Sequence, residues 1–399
     1  MAAPIQNVFV GSETGLLKGV SLPKSQWENI NTIEEANKEI EITTLCWGND
    51  DQTEICLGLK CQKVLTYDTI TKEFSEEKDF HVDDGRLRCL LKIDGSFVTA
   101  SSTGIVRLWK DEDDFTEIQA GKDLFCMAQN TTCPNVLATG GKENELKIWN
   151  IEEPEKPTFQ AKNVKNDWLN LRVPVWVTQT RFLPQSEKLV TTTGHRQIRV
   201  YDPKAQRRPV QDFTYDEYPI TALSTWGSRD NQVIVGNTQG LMGLIDLRKG
   251  AMVQQYKGFA GGIRCIQCHE SLPLAASCGL DRFLRVHDLE TRELLHKVYL
   301  KSKLNYLLFG RKWDSDEKKE ANKTGRQINV IKTEMIEEEN EEEDENMWEQ
   351  MEVVQTRTKR KDEAPDESTA NLKKKKTHIN QSTVEKTVKR TKKKKDLAK

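Results

Sequence analysis

The chain has 399 residues, of which 60 are basic and 62 acidic, and a formal net charge of −2. Its length suits one large repeat domain with an additional segment. No apolar run approaches the ~18 residues that a membrane-spanning helix needs, and the N-terminus lacks the basic and apolar parts of a secretory signal, so neither a membrane protein nor a secreted one is expected.

The chain opens with two short alternating segments, residues 8–11 and 15–20. They have the pattern of the second and third strands of a small sheet, but no first strand precedes them. Nine cysteines follow, an odd number, and most lie within apolar, strand-like runs. This usage indicates buried free thiols in a reducing compartment.

A strand pattern then repeats six times. Its anchor positions, separated by 42, 40, 52, 44 and 42 residues, are Tyr67, Trp109, Trp149, Tyr201, Ile245 and His287. Each period holds several short alternating strands, which excludes helices as the main element. Because a four-stranded unit cannot bury both of its faces alone, the units are predicted to stack radially as a β-propeller, and the anchor sequences resemble WD40 repeats.

The last strands of this region, residues 297–300 and 304–309, have no second half of their own. We therefore predict that the two ends pair to complete a seventh blade, which removes two exposed sheet edges. The predicted fold is all-β: a seven-bladed WD40 β-propeller over residues 1–310, closed by N- and C-terminal strands.

The 52-residue step is about ten residues longer than its neighbours, and the excess falls in residues 161–174. In WD40 geometry this insertion lies beside the turn at residues 142–144 and near His195. The basic residues there, together with the aromatic Trp168, predict a rim that binds RNA or an acidic partner. These residues are Lys142, Lys162, Lys165, Trp168, Arg172 and Arg196. The alternative is that Trp168 pins the insertion down and the lysines are merely solvated.

Two further groups of basic residues receive different interpretations. Arg207 and Arg208 belong to a predicted surface loop and are candidates for phosphate contact. A recurring basic position in the third strand is interpreted as structural, because long aliphatic stems often line blade contacts. It is occupied by Arg107, Lys147, Arg199 and Arg285.

The sequence contains neither a glycine-rich phosphate loop nor a nucleophile-elbow serine. Cys265, Cys268, His269 and Cys278 are the candidate ligands of a zinc site. Residues three apart on a strand point to opposite faces, and a second cysteine pair is missing, so buried thiols are the preferred interpretation. We accordingly expect no enzyme activity, cofactor, metal or small-molecule substrate.

Residues 311–399 carry 23 basic and 21 acidic residues in separate blocks, and this composition predicts a disordered tail. An acidic block at residues 334–352 contains Met347 and Trp348, which could form a short docking helix. Three basic clusters near the end predict nuclear and nucleolar targeting. They comprise Lys359, Arg360, Lys361, Lys373, Lys374, Lys375, Lys376, Lys389, Arg390, Lys392, Lys393, Lys394 and Lys395.

Five strings depart from a generic repeat in the same way as one known family. They are residues 140–149, 161–169, 206–210, 277–282 and 296–302. On these strings the chain resembles the WD repeat-containing protein 74 family, whose fungal counterpart is a nucleolar factor for the large ribosomal subunit. Asn144 and Arg282, which lie within the strings, are added to the predicted rim.

The resemblance implies a non-enzymatic assembly factor in nucleolar maturation of the large (60S) ribosomal subunit. It implies binding to pre-60S particles, both rRNA and assembly proteins, support of pre-rRNA processing, and release by a nuclear AAA-type ATPase. The alternatives are a substrate receptor of a ubiquitin ligase, a chromatin-associated adaptor, or a propeller enzyme. Fold alone does not separate these functions.

Overall fold

The computed structural model describes residues 6–33, 37–75, 77–81, 83–111, 114–227, 229 and 231–311. These ranges contain 28 strands and a short 3-10 helix, Lys38–Ile40. Within them no helix is long and apolar enough to cross a membrane.

The strands follow one another with short turns, as the alternating sequence pattern predicts. The first half of the chain forms β1 (Val8–Ser12), β2 (Leu17–Ser21), β3 (Gln26–Asn29), β4 (Ile42–Trp47), β5 (Glu54–Leu59), β6 (Lys63–Asp68), β7 (Lys78–Asp79), β8 (Leu87–Ile93), β9 (Ser96–Ser101), β10 (Ile105–Trp109), β11 (Phe115–Gln119), β12 (Leu124–Gln129), β13 (Val136–Gly141) and β14 (Asn144–Asn150). The second half forms β15 (Phe159–Gln160), β16 (Val177–Phe182), β17 (Leu189–Thr193), β18 (Gln197–Tyr201), β19 (Gln211–Thr214), β20 (Ile220–Thr225), β21 (Gln232–Asn237), β22 (Met242–Asp246), β23 (Ala251–Tyr256), β24 (Ile263–Cys268), β25 (Leu274–Gly279), β26 (Phe283–Asp288), β27 (Leu294–Tyr299) and β28 (Leu304–Phe309).

The strands pair into seven antiparallel sheets of four, the blades of a propeller. Blades 2 to 7 each use four consecutive strands, from β4–β7 to β24–β27, whereas blade 1 has the order β28-β1-β2-β3. The predicted seven-bladed ring, closed by the two ends of the chain, is confirmed. One detail differs from the prediction: residues 297–299 belong to β27, the outer strand of blade 7, and only β28 joins the N-terminal strands.

The first strand of each blade lies innermost, and these seven strands contact one another in a closed ring: β28, β4, β8, β12, β16, β20 and β24. The apolar cores lie between adjacent blades. Val190 and Ile198 of blade 5, for example, pack with Leu223 and Val235 of blade 6. Each blade therefore buries its faces against its neighbours, which is why a single four-stranded unit would not be stable alone.

Every innermost strand carries a β-bulge at the same position, one residue after its start. The bulge inserts one residue that has no partner on the second strand of the blade. The seven inserted residues are Thr43, Arg88, Phe125, Thr178, Thr221, Arg264 and Asn305. They form a ring at one end of the central channel, which we call the channel mouth.

The tail predicted from residue 311 onward, with its three basic clusters and the segment around Trp348, lies outside the described residues apart from Arg311. The boundary at residue 310 therefore stays a prediction. Arg311 itself is held at the end of the ring opposite the channel mouth, where its Nε donates to Glu270 Oε2 at 2.6 Å.

Candidate functional site

The insertion between β15 and β16 is held at its base by hydrogen bonds. Asn163 Nδ2 donates to the Val173 carbonyl oxygen at 2.7 Å, which ties the two ends of the insertion together. The Glu143 N–H donates to the Val175 carbonyl oxygen at 2.8 Å. The insertion therefore lies beside the turn that contains Lys142 and Glu143, where the repeat geometry placed it.

The tip of the insertion, residues 166–171, is a tight turn built around Asp167, and we call it the tip loop. The Asp167 carboxylate accepts hydrogen bonds from the N–H groups of Leu169 at 2.9 Å and Leu171 at 2.8 Å. Asn170 adopts a φ of 60°, in the left-handed region that Asn tolerates. Because these contacts are all internal, the tip loop has a defined shape without any partner.

The tip loop presents apolar side chains to solvent. Trp168 is 90% exposed, Leu171 is 59% exposed and Leu169 is 55% exposed. Trp168 therefore does not pin the insertion to the propeller, whereas the binding role of the lysines stays a prediction. Clustered large apolar side chains on a surface are typical of sites that bind another molecule.

The aromatic residue that Lys142 and His195 approach is Trp176 rather than Trp168. Lys142 Nζ lies 5.9 Å from the centroid of the Trp176 ring, and the His195 ring lies 6.0 Å from it. Gly194 makes this packing possible, since a Cβ there would meet the Trp176 ring at 2.3 Å. Arg196 follows His195 in the same turn and is exposed. Lys142 and His195 therefore flank Trp176, and the role of this group as a binding rim stays a prediction.

The cationic side chains of the insertion are not equivalent. Lys162 and Lys165 are exposed. Arg172 is exposed as well, but its Nη1 forms an ion pair with Glu143 Oε2 at 2.8 Å. Since that carboxylate already offsets its charge, Arg172 offers less to a partner than the two lysines do.

The structure brings the Arg207–Arg208 loop against the insertion, although the two are far apart in sequence. The Lys162 N–H donates to the Arg207 carbonyl oxygen at 2.8 Å. Arg207 Nε donates to the Gln160 carbonyl oxygen at 2.8 Å, and Arg208 Nε donates to that of Asn163 at 3.1 Å. Both arginines are exposed, so they extend the basic surface of the insertion.

Two residues of the predicted rim lie elsewhere. Asn144 is 6% exposed, and its Nδ2 donates to the carbonyl oxygens of Ala120, Gly121 and Lys122 between blades 3 and 4. Its prediction as a binding residue is corrected: the amide joins two blades. Arg282 is exposed in the β25–β26 turn of blade 7, and blade 6 separates it from the insertion.

The recurring basic residues of the third strands are used inside the fold. Arg107 is 3% exposed and is paired with Asp83 at 3.3 Å and with Glu117 at 2.9 Å. Arg199 and Arg285 are each 2% exposed. Their partners are Asp212 at 3.4 Å and Asp281 at 2.6 Å, respectively. These ion pairs agree with the structural interpretation.

The cysteines weighed as a zinc site are dispersed in blade 7. Cys265 and Cys278 face each other on β24 and β25, and burial raises the pKa of the Cys265 thiol to about 11. Burial likewise raises the pKa of the Cys268 thiol, to about 12. Across the described ranges, no three His, Cys, Asp or Glu residues are grouped as metal ligands would be.

Comparison with known proteins finds one matching family model and several relatives of this chain. Residues 250–288 match the family model "WD domain, G-beta repeat". The human WD repeat-containing protein 74 is 46% identical over 334 residues, covering 81% of this chain and 86% of that protein. Its bovine counterpart is 45% identical with the same coverage. "Ribosome biogenesis protein NSA1" of Meyerozyma guilliermondii is 34% identical over 231 residues, covering 50% of this chain and 58% of that protein.

The identity to the human and bovine proteins covers about four fifths of this chain and most of their own length. Both the fold and this similarity lead to one assignment: the chain belongs to the WD repeat-containing protein 74 family.

Proposed function

We propose that this protein is a non-catalytic assembly factor for the large (60S) ribosomal subunit and that its insertion docks on pre-60S particles. Its family membership supports the first part, because fungal relatives carry the name ribosome biogenesis protein. The observation that carries the second part is the 90% exposure of Trp168 on a tip loop that is already shaped by its own hydrogen bonds.

The tip loop has the physical properties of an interface anchor. Tryptophan is enriched among the residues that dominate binding energies. A loop that is rigid before binding loses less conformational entropy when it docks. Lys162, Lys165, Arg207 and Arg208 surround the base of the insertion with positive charge, which accelerates encounter with rRNA or with acidic proteins. Anchor and charge thus act together on one surface.

The proposal includes the cellular setting that the family resemblance implies. The protein acts in the nucleus and nucleolus, supports pre-rRNA processing and leaves the particle through a nuclear AAA-type ATPase. Docking by one exposed loop suits release from the particle, because the loop can separate from its partner without the unfolding of any blade.

The test is co-sedimentation of tagged, full-length protein with pre-60S particles from cells. We expect Trp168→Ala to reduce the bound fraction by roughly tenfold. Asp167→Ala, which keeps Trp168 but removes the internal hydrogen bonds, is expected to give a smaller loss. Ile70→Ala is the matched control, because Ile70 is also a large exposed apolar residue (72% exposed) but belongs to blade 2. We expect this variant to sediment as wild type does.

Several outcomes would contradict the proposal. Wild-type sedimentation of both Trp168→Ala and the Lys162→Glu, Lys165→Glu double variant would remove the insertion as the docking surface. Enrichment of cullin adaptors or nucleosomes in place of pre-60S particles would favour the ubiquitin-ligase or chromatin alternative. Melting temperatures of all variants should match wild type, because these side chains are exposed.

A further inference from the structure

The innermost strands carry an uneven set of charges. They contain Arg88, Lys92, Arg181 and Arg264 but no Asp or Glu. Lys92 is neutralised by Glu54 at 2.9 Å. For the other three, no carboxylate lies within ion-pair distance in the part of the chain that the structure describes. Among the described residues, the innermost strands therefore carry three guanidinium groups that have no carboxylate partner.

Two of these arginines belong to the channel mouth. Arg88 of blade 3 and Arg264 of blade 7 are inserted by their bulges at the same level, on opposite sides of the seven-membered ring. The Arg88 guanidinium stacks on the ring of Phe125, with 4.5 Å between its Cζ and the ring centroid. Glu41 and Asp123 attract its charge from beyond ion-pair distance. The mouth opens on the rim that carries the insertion.

Arg181 lies below the mouth. Its guanidinium contacts Tyr306 of blade 1 and lies close to the thiols of Cys265 of blade 7 and Cys89 of blade 3, so it reaches into the channel from blade 5. Burial raises the pKa of Tyr306 to about 12 and that of Cys265 to about 11, so both groups are neutral at pH 7. These neutral groups do not offset the charge of Arg181, whose side chain is only half-buried and can be approached from the channel.

Hydrogen-bond donors near the mouth are also unused. Arg88 Nε and Trp176 Nε1 are buried and have no acceptor. The Phe125 ring links them, since it stacks on Arg88 and lies 6.0 Å from the Trp176 ring. Buried donors without acceptors are rare in finished structures. A ligand that accepts hydrogen bonds and carries negative charge would supply both the missing acceptors and the missing counter-charge.

We propose that the channel mouth binds a carboxylate side chain from an extended acidic segment of a partner protein. Arginine fits a carboxylate with two parallel hydrogen bonds. In this proposal a glutamate side chain of the segment extends past the ring of bulged residues toward Arg181. A phosphodiester is flanked by riboses on both sides and is therefore a bulkier ligand for the same position. The site is independent of the insertion and of its docking role.

The test uses the purified full-length protein and a fluorescent oligoglutamate peptide, with binding followed by anisotropy. We expect Arg181→Met and Arg264→Met each to weaken binding by roughly tenfold. Arg282→Met is the matched control, because Arg282 is exposed on blade 7 but lies outside the mouth. The peptide should raise the melting temperature of wild type and of Arg282→Met, but not that of Arg181→Met.

Replacing Arg181 by Met removes an unpaired charge and keeps a stem of similar length, so the variant should fold; Arg264→Met, at an exposed position, gives a second reading. Equal peptide affinity in wild type, Arg181→Met and Arg264→Met would overturn the proposal. The proposal would also be overturned if Arg181→Met lost binding to an oligouridine RNA but still bound the peptide. A rise in peptide affinity when the acidic residues of the 334–352 block are changed to Gln would assign the mouth to this chain's own tail instead of a partner.

Discussion

Phe9 on β1 lies directly opposite Leu308 on β28, so the two ends of the propeller are hydrogen-bonded neighbours in one sheet. Their side chains also pack in one core cluster with Ile42 and Leu45 of blade 2. This pairing closes the ring. Without it, β1 would expose an unpaired strand edge and β28 would have no sheet to join.

The closing strand should therefore govern stability. Leu308 is 4% exposed, and we expect Leu308→Ala to lower the free energy of unfolding by about 2–5 kcal/mol through lost burial and the cavity left behind. Urea unfolding followed by tryptophan fluorescence measures the effect, with the exposed Ile70→Ala as control. Equal midpoints for the two variants would show that ring closure adds little.

The hydrogen bonds of Asn144 between blades 3 and 4 should contribute to stability. Asn144→Ala leaves the carbonyl oxygens of Ala120, Gly121 and Lys122 without their donor, so we expect a loss of about 1–3 kcal/mol in stability. Sedimentation of the folded protein with pre-60S particles should not change. If the variant melted like wild type yet failed to sediment, Asn144 would be a binding residue after all.

His287 predicts a specific dependence of stability on pH. It is 1% exposed, stacks on Phe259 with ring centroids 5.5 Å apart, and its Nε2 lies 3.2 Å from the Lys257 carbonyl oxygen. Burial, helped by the charge of Arg285 and opposed by the hydrogen bond to Lys257, lowers the pKa of His287 to about 4.

The unfolded chain, with a His pKa near 6.5, takes up the proton first as the pH falls, so stability is lost between about pH 6.5 and pH 4. By pH 5 the loss from this residue is about 2 kcal/mol. His287→Phe should remove that part of the slope, while the other histidines contribute equally to both proteins. Parallel stability curves for the two proteins between pH 7 and pH 5 would contradict the assignment.

The tail predicts where the protein accumulates. Deleting residues 357–399 removes the three basic clusters, and we expect the protein to disperse from the nucleolus because it loses its attraction to the phosphates of nucleolar RNA. Fluorescence microscopy of tagged protein measures this. A variant with the same lysines and arginines changed to Gln keeps the length of the tail and should behave like the deletion. Retention of both in the nucleolus would place the targeting signal in the propeller.

Much of the fold follows from local patterns. Period-2 alternation identifies each strand, because successive side chains on a strand point to opposite faces whatever surrounds it. The regular spacing of anchors such as Trp109 and Trp149 counts the blades, and the one long step locates the insertion. The need to cover sheet edges predicts that the ends of the chain meet.

The candidate sites depended on tertiary structure, because they arise where separate blades meet. Spacing along the chain does not reveal that the backbones of Lys162 and Arg207 are hydrogen-bonded or that Lys142 lies near the Trp176 ring. Nor does it reveal that Asn144 is buried between blades. The strands, their number and the position of the insertion can be predicted from local sequence, since those are properties of one segment at a time. Only the ring, which sets the angle and distance between blades, decided which side chains face solvent, which face the channel and which face each other.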